Sequence, residues 1–285
     1  MTPSILVLAD LSAATERAAQ YAAALGSPLH AELTLLHFCH DPVLELAAVN
    51  IARLDCNQAD TATTLRAVAR RLPVPAQVTV SVAPVPAAVE QAVNRHHPLL
   101  LALGLSTEHD LLDQLLHNQV LPVLRGTHEP LLLVPEVGPV PRVPRRVLVA
   151  ADGEPFRPTA AALALAPLLA AWGATFTVVH VKARHAQLAA PGKMAQADLR
   201  ASGLLPPGTP LELYEECGVS PGAGVLQAID DTQADLLVLL ARPRTFLERR
   251  FRRSVTAQVL RHCRVPVLLV PVGAPALPRW MPPMS

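Results

Sequence analysis

The chain has 285 residues, which exceeds the usual size of a single domain, so we expect two compact domains. Its 24 Lys and Arg nearly balance its 23 Asp and Glu, and the net charge of +1 gives no overall field that attracts nucleic acid or an anionic membrane. Aromatic residues make up only 3% of the sequence, which argues against a cofactor held by aromatic stacking.

The first half of the chain contains five segments with the character of strands. Between the first two, apolar residues recur at helical spacing from Ala14 to Leu25, and Gly26 ends the helix. The segment Gln77–Val82 alternates between polar and apolar residues, as a strand near a sheet edge does. The other four are continuous apolar runs: Ser4–Asp10, Glu32–Phe38, His97–Leu105 and Glu129–Pro135.

The second half repeats this order of segments, which indicates an internal duplication. Near-continuous apolar strands separated by segments of helical length predict an α/β fold, a parallel sheet with helices on both faces. The corresponding segments are Arg146–Asp152, Thr175–Val181, Leu211–Glu216, Ala234–Arg242 and Val265–Pro271.

Two prolines shape the helix that follows the first strand of the second half. Pro158 suits the first turn of this helix, whereas Pro167 should kink or break it. The stretch from Thr159 to Val181 is apolar enough to resemble a membrane span. Because Pro167 and Gly173 interrupt it, and because its first-half counterpart carries charges, we expect no membrane segment.

A connector rich in proline and valine, Glu136–Pro144, separates the two halves. We therefore expect a first domain at residues 1–137, a linker at 138–144 and a second domain at 145–272. Residues 273–285 have no periodicity and contain four prolines, so we expect a disordered tail.

The cysteines and the N-terminus predict a cytoplasmic protein. The four cysteines form no C-x-x-C pair, so neither a zinc knuckle nor a dithiol redox pair is indicated, and a reducing compartment fits best. The first residues carry no basic segment before their short apolar run, so they do not have the pattern of a signal peptide.

Several motifs together resemble the universal stress protein family. In the second half these motifs keep the family's order and spacing, and the first half fits less closely. They are VLVAADGEP at 147–155, TVVHV at 177–181, ADLLVLL at 234–240 and SVTAQVLRHCRVPVLLVP at 254–271.

The resemblance implies two tandem doubly wound domains, each a five-stranded parallel sheet with helices on both faces, of the adenine nucleotide alpha hydrolase-like type. A crevice is expected where the first and fourth strands of each sheet diverge. Family members often pair their last strands, so residues 129–135 and 265–271 should meet and form an internal pseudo-dimer. A homodimer of chains is a further possibility that the resemblance leaves open.

Nucleotide-binding members of the family carry a loop after the fourth strand, G-x-x-G, nine residues, then G-S/T. Glycine lets backbone N–H groups approach the phosphates, and the next helix N-terminus adds positive charge. In the second half, Ala241, Arg244 and Arg253 stand at the glycine positions, with one residue fewer in the spacer, and Ser254 remains. A loop without its glycines loses that mechanism, so we expect both loops to be degenerate.

A nucleotide-binding hypothesis for the second half uses the residues that still match the family. Asp152 and Val181 match positions that contact adenosine in binding members, and Ser254 with the N–H of Val255 matches the phosphate loop. The phosphates of ATP or AMP would then pair with Arg242, Arg244 or Arg253. The alternative is that Ser254 is a helix N-cap and Asp152 a turn residue at a strand end.

The first half keeps fewer of these positions. Gly104 matches the opening glycine and Asp10 matches Asp152, but Thr107 replaces the second glycine. His117 and Asn118 stand where the family has Gly-Ser. We therefore favour nucleotide binding here less than in the second half.

A basic segment follows the fourth strand of the second half. It contains one acid, Glu248, whereas the equivalent first-half segment 106–114 is acidic. This segment either docks an anion or an acidic partner, or forms a solvated loop and helix face. Its arginines are Arg242, Arg244, Arg249, Arg250, Arg252 and Arg253.

Histidine-rich HFCH, with His37, Cys39 and His40, invites a metal interpretation. However, His37 aligns with His180 at a strand-end position where the family commonly has histidine, which favours a structural role. The spacing shows no convergent ligand set, so we expect no metal.

No nucleophile elbow, P-loop or paired-carboxylate pattern appears in the sequence. We therefore expect a non-catalytic binding or regulatory module of the stress response, without a bound cofactor, that acts through a protein partner or self-association and binds neither nucleic acid nor membrane. The alternative is a protein that binds ATP or AMP in its second half and hydrolyses ATP weakly.

Overall fold

The computed structural model describes residues 2–38, 58–105, 127–182, 191–217, 219–242 and 255–273. Cys39, His40, the acidic segment 106–114, the basic segment beyond Arg242 and the tail from residue 274 lie outside these ranges.

The strands lie close to the segments expected from the sequence. In chain order they are β1 (Ser4–Ala9), β2 (Glu32–Phe38), β3 (Ala76–Ser81), β4 (Leu100–Leu105), β5 (Leu131–Pro135), β6 (Arg146–Ala150), β7 (Arg157–Pro158), β8 (Thr175–Lys182), β9 (Leu211–Cys217), β10 (Leu236–Ala241) and β11 (Val267–Gly273).

The α-helices lie between the strands. They are α1 (Ala13–Gly26), α2 (Gln58–Arg71), α3 (Val85–His96), α4 (Ala160–Leu163), α5 (Ala166–Ala171), α6 (Pro191–Ala201), α7 (Pro221–Thr232) and α8 (Val255–His262). A short 3₁₀ turn, Ser27–Leu29, follows α1. No helix within the described ranges is both long and apolar enough to span a membrane.

The strands form one extended sheet in the order β3-β2-β1-β4-β5-β11-β10-β6-β8-β9. Within each half of this sheet, neighbouring strands are parallel, which confirms the five-stranded, doubly wound arrangement expected for each repeat. The two segments that alternate between polar and apolar residues form β3 and β9, the outermost strands of the sheet. An outermost strand has a neighbouring strand on one side only, so it tolerates polar residues that an inner strand would not.

The last strands of the two halves pair with each other at the centre of the sheet. β5 and β11 are antiparallel, with Leu131 opposite Leu269 and Leu133 opposite Val267. Antiparallel pairing of equivalent strands gives the two repeats an approximate two-fold relation, so the carboxyl ends of their strands lie at opposite edges of the sheet.

Alternate residues along each strand enter the apolar layers on the two sides of the sheet. Ile5 and Val7 of β1 face one layer, whereas Leu6 and Leu8 face the other. Each layer contains residues of both repeats, so the sheet has two continuous cores rather than one per repeat. This is the packing that continuous apolar strands predict.

The prediction for Pro167 is confirmed and that for Pro158 is wrong. Pro167 lies in the first turn of α5, where it separates this helix from α4. Pro158 instead belongs to β7, which pairs with the end of β11, and the side chain of Thr159 caps the helix that follows. A short ladder at the sheet edge tolerates a proline, because few backbone N–H donors are needed there and proline has none.

Side chains of α1 and α5 connect the two repeats. Trp172, at the end of α5, donates its indole N–H to the carbonyl of Leu25 at 3.0 Å. Arg17 donates to the carbonyl of Pro135, and Tyr21 donates its hydroxyl to the carbonyl of Pro139 at 2.7 Å. The connector is thereby held against the first repeat.

Candidate functional site

The candidate site of the second repeat lies at the carboxyl ends of β6 and β10, which are neighbours in the sheet. Asp152 follows β6 and Arg242 follows β10, so the parallel register places the two side chains at the same edge. A cavity of about 400 Å³ opens beside them. This is the crevice expected at the point where strand connections diverge.

Arg242 forms a bidentate ion pair with Asp152. Its Nε and one terminal nitrogen donate to the two carboxylate oxygens, each at 2.9 Å. The guanidinium also donates to the carbonyls of Glu154 at 2.7 Å and Pro155 at 3.1 Å. Only 14% of the Arg242 side chain is exposed, against 52% of the Asp152 side chain.

The turn after β6 is shaped to receive this guanidinium. Asp152 accepts a hydrogen bond from the N–H of Glu154 at 3.0 Å, and Gly153 between them has a φ of +81°. Glycine is the residue that adopts such a conformation without strain. The turn directs two carbonyls and the carboxylate toward Arg242, so the chain supplies its own ligands to the arginine.

The remaining walls of the cavity are aliphatic except for Thr256. Val181 at the end of β8 and Val255 at the start of α8, two residues of the nucleotide hypothesis, both line it. The other lining residues are Ala150, Ala151, Val179, Pro221, Val225, Leu239, Leu240 and Thr256. Sequence reasoning did not single these out, because an apolar residue at a strand end looks the same in a core and in a cavity wall.

The opening glycine position has different surroundings in the two repeats. In the first repeat, a Cβ on Gly104 would lie 2.3 Å from the backbone carbonyl of Ala14 in α1. Gly104 is therefore required by the close approach of α1 to β4, independently of any phosphate. In the second repeat Ala241 occupies this position and is buried.

Asp10, the first-repeat counterpart of Asp152, is engaged by the start of α1. Its Oδ1 accepts hydrogen bonds from the N–H and hydroxyl of Ser12 and from the hydroxyl of Thr15. Ser12 in turn caps α1 by accepting from the N–H of Thr15 at 3.2 Å. This network is typical of a helix N-terminus.

Four residues of the nucleotide hypothesis, Arg244, Arg253, Ser254 and Asn118, lie outside the described residues. The structure thus brings together Asp152, Val181, Arg242 and Val255 in one crevice, while Gly104 and Asp10 belong to the other repeat.

The two aligned histidines have equivalent structural positions. His37 contacts the carbonyl of Ala9 through Nδ1 at 2.7 Å, and His180 contacts the carbonyl of Ala151 at 3.1 Å. Each imidazole thereby joins the ends of two adjacent strands. No cluster of metal-ligating side chains occurs among the residues that the structure covers.

Two further features escaped sequence reasoning. The buried carboxylate of Asp235 accepts hydrogen bonds from the backbone amides of Arg145 and Arg146 at 3.0 to 3.1 Å, which fixes the start of β6 beside β10. On the outer strand β9, a hydrogen bond to Asp231 raises the pKa of Tyr214 above its ordinary value. Single acidic residues give no sequence signal that separates such roles from surface charge.

The fold and the crevice define a tandem α/β protein of the adenine nucleotide alpha hydrolase-like type. The profile of the universal stress protein family matches the chain twice, at residues 1–135 and 144–271, and the chain belongs to this family. No curated protein sequence matches it.

Two solved structures, the first two described below, agree with the tandem arrangement. A universal stress protein from Archaeoglobus fulgidus is 18% identical with a TM-score of 0.67, over 95% of this chain and 99% of that chain. A protein of unknown function from Pseudomonas aeruginosa is 15% identical with a TM-score of 0.51, over 94% and 92%. A universal stress protein in complex with cAMP is 24% identical with a TM-score of 0.35, over 45% and 96%.

Proposed function

We propose that this protein is a non-catalytic binding module of the stress response, with nucleotide loops that no longer hold a polyphosphate. The observation that carries this proposal is the bidentate ion pair between Arg242 and Asp152. The carboxylate that adenosine would need and the arginine that phosphate would need are each engaged by the other.

A phosphate that approached Arg242 would have to break several contacts. The guanidinium donates to both oxygens of Asp152 and to the carbonyls of Glu154 and Pro155. After displacement, the carboxylate of Asp152 would face the phosphate as a like charge, which is unfavourable. The ion pair therefore selects against anions at this edge of the cavity.

The alternative function, binding of ATP or AMP with weak hydrolysis of ATP, is favoured by one observation. The cavity beside Val181 and Val255 has a volume of about 400 Å³, which falls in the range of small-molecule sites. A nucleoside could occupy the aliphatic part of such a cavity while its phosphates extend outward.

Calorimetric titration of the full chain with ATP and AMP, with and without Mg²⁺, separates these two functions. We expect dissociation constants in the millimolar range or weaker for both nucleotides. Saturable binding in the micromolar range, lost in Asp152→Ala, would establish the nucleotide-binding alternative in place of our proposal.

We further propose that the protein is cytoplasmic and acts through a protein partner or through self-association rather than through nucleic acid or membrane. The connector supports a protein contact, because Val137 and Val140, three positions apart in sequence, are 66% and 79% exposed. Sedimentation velocity of the wild type and of a Val137→Ser, Val140→Ser double variant tests self-association. A wild-type dimer that the double variant loses would support it, and a wild-type monomer at all concentrations would leave a different protein as the partner.

A further inference from the structure

The cavity of the second repeat combines one ion pair with mainly apolar walls. Among the described residues that line it, the only ionisable side chains are those of Asp152 and Arg242. These two neutralise each other in a bidentate pair, so the described lining carries no net charge, and the Glu154 carboxylate, 3.9 Å from Arg242 and 73% exposed, lies outside this lining. Its remaining walls are mainly Ala, Val, Leu and Pro side chains.

From this balance we infer that the crevice binds a small, uncharged and mainly apolar molecule that carries one hydrogen-bond donor. The inference rests on the proposed function, since it names the ligand class of the same crevice. A neutral ligand gains from apolar contact with Val181, Val225 and Leu239 without disturbing the ion pair.

Charged ligands of either sign meet an obstacle at this crevice. An anion has to separate Arg242 from its carboxylate and two carbonyl partners. A cation approaching Asp152 finds the guanidinium 2.9 Å from both carboxylate oxygens, and this charge repels it. The ion pair thus acts as the specificity determinant of the cavity.

The hydrogen-bonding capacity that remains at the Asp152 carboxylate fits one donor on the ligand. Oδ1 of Asp152 accepts hydrogen bonds from Arg242 and from the N–H of Glu154. Oδ2 accepts from Arg242 Nε, and a carboxylate oxygen accepts two hydrogen bonds. Because half of the Asp152 side chain is exposed, a ligand N–H or O–H can reach Oδ2 from the cavity side.

A matched pair of fluorescent probes tests the inference on the full chain. The neutral probe is phenylnaphthylamine, which has an aromatic apolar body and one N–H, and the anionic probe is anilinonaphthalenesulfonate, the same body with a sulfonate. We expect saturable binding of the neutral probe at one site, at least about tenfold tighter than binding of the anionic probe.

Two substitutions separate charge selection from cavity occupancy. Asp152→Asn removes the bidentate carboxylate partner of Arg242 and leaves only the exposed Glu154 carboxylate at 3.9 Å. Binding of the anionic probe should then tighten about tenfold, while the affinity for the neutral probe should stay within about threefold of the wild-type value. Val255→Trp places a ring over the cavity and should weaken binding of the neutral probe at least about tenfold. The control Val82→Trp, at an exposed position of the first repeat, should leave this binding unchanged. Val181→Phe replaces Val255→Trp if that variant does not fold.

The inference is overturned if the neutral probe does not saturate one site, if the anionic probe binds the wild type equally well, or if both cavity substitutions leave binding unchanged. Failure of the proposed function has a different signature, which is tight binding of ATP or AMP. A chain that binds neither nucleotide nor neutral probe would therefore refute only the ligand class.

Discussion

The ion pair between Arg242 and Asp152 should be measurable as a coupling energy in a double-mutant cycle. The perturbations are Arg242→Ala, Asp152→Ala and the double variant, compared with wild type by urea unfolding. Exposed ion pairs contribute about 0.2–1 kcal/mol, and bidentate geometry with one largely buried partner raises this value. Because half of the carboxylate is exposed and screened by solvent, we expect a coupling of about 1 kcal/mol.

The single substitutions should cost different amounts. Arg242→Ala also removes the hydrogen bonds to the carbonyls of Glu154 and Pro155, each worth about 1 kcal/mol, so its total should be about 2–3 kcal/mol. Asp152→Ala leaves those two bonds in place but also removes the acceptor of the Glu154 N–H, so it should cost about 1–2 kcal/mol.

The assay follows far-ultraviolet circular dichroism and tryptophan fluorescence in urea, at low salt and at 1 M salt. The matched control is the exposed pair between Arg71 and Glu16, at 3.1 Å, whose coupling should stay below about 0.5 kcal/mol. Additive costs for Arg242 and Asp152, with a coupling below about 0.3 kcal/mol, would refute the claim that this pair organises the crevice.

Three further predictions concern residues with structural roles. Asp235→Ala should destabilise the protein by about 2–4 kcal/mol in chemical denaturation, because the backbone amides of Arg145 and Arg146 lose a buried acceptor; the exposed control Glu90→Ala should stay within about 0.5 kcal/mol. Gly104→Ala should cost about 2 kcal/mol or more in the same assay, because its Cβ meets the backbone of α1; an unchanged midpoint would contradict this. Burial raises the pKa of Cys263 from 9.0 to about 12, so native alkylation at pH 8 followed by peptide mass mapping should label exposed Cys217 and spare Cys263. The sign of this shift means that the stability contributed by the buried thiol is complete below pH 9 and is lost as pH rises toward 12; equal labelling of both cysteines would oppose the assignment.

The sequence predicted the fold nearly completely, because strand identity depended on long apolar runs that occur twice. The observed bounds of β2, Glu32–Phe38, coincide with the expected segment, and most other strands differ by one to three residues at an end. Pro158 escaped prediction because a proline before a helix suits both a first turn and a short edge strand.

The site was predictable only as a set of positions. The family pattern pointed to Asp152, Val181 and Val255, and the structure places all three around one cavity. The pairing of Arg242 with Asp152 was not expected, because the two residues are 90 positions apart and their contact depends on the register of β6 beside β10. The nucleotide hypothesis offered Arg242, Arg244 or Arg253 as the phosphate partner because it considered each side chain alone.

The central claim is that this crevice holds no nucleotide because its own side chains occupy the charged positions. The most direct test is to identify the small molecules that co-purify with the protein. The full chain is purified under native conditions, denatured, and its released small molecules are separated by chromatography. The account predicts less than about one adenine nucleotide per ten chains. Stoichiometric ATP, ADP or AMP, reduced in a Val255→Trp variant, would contradict it.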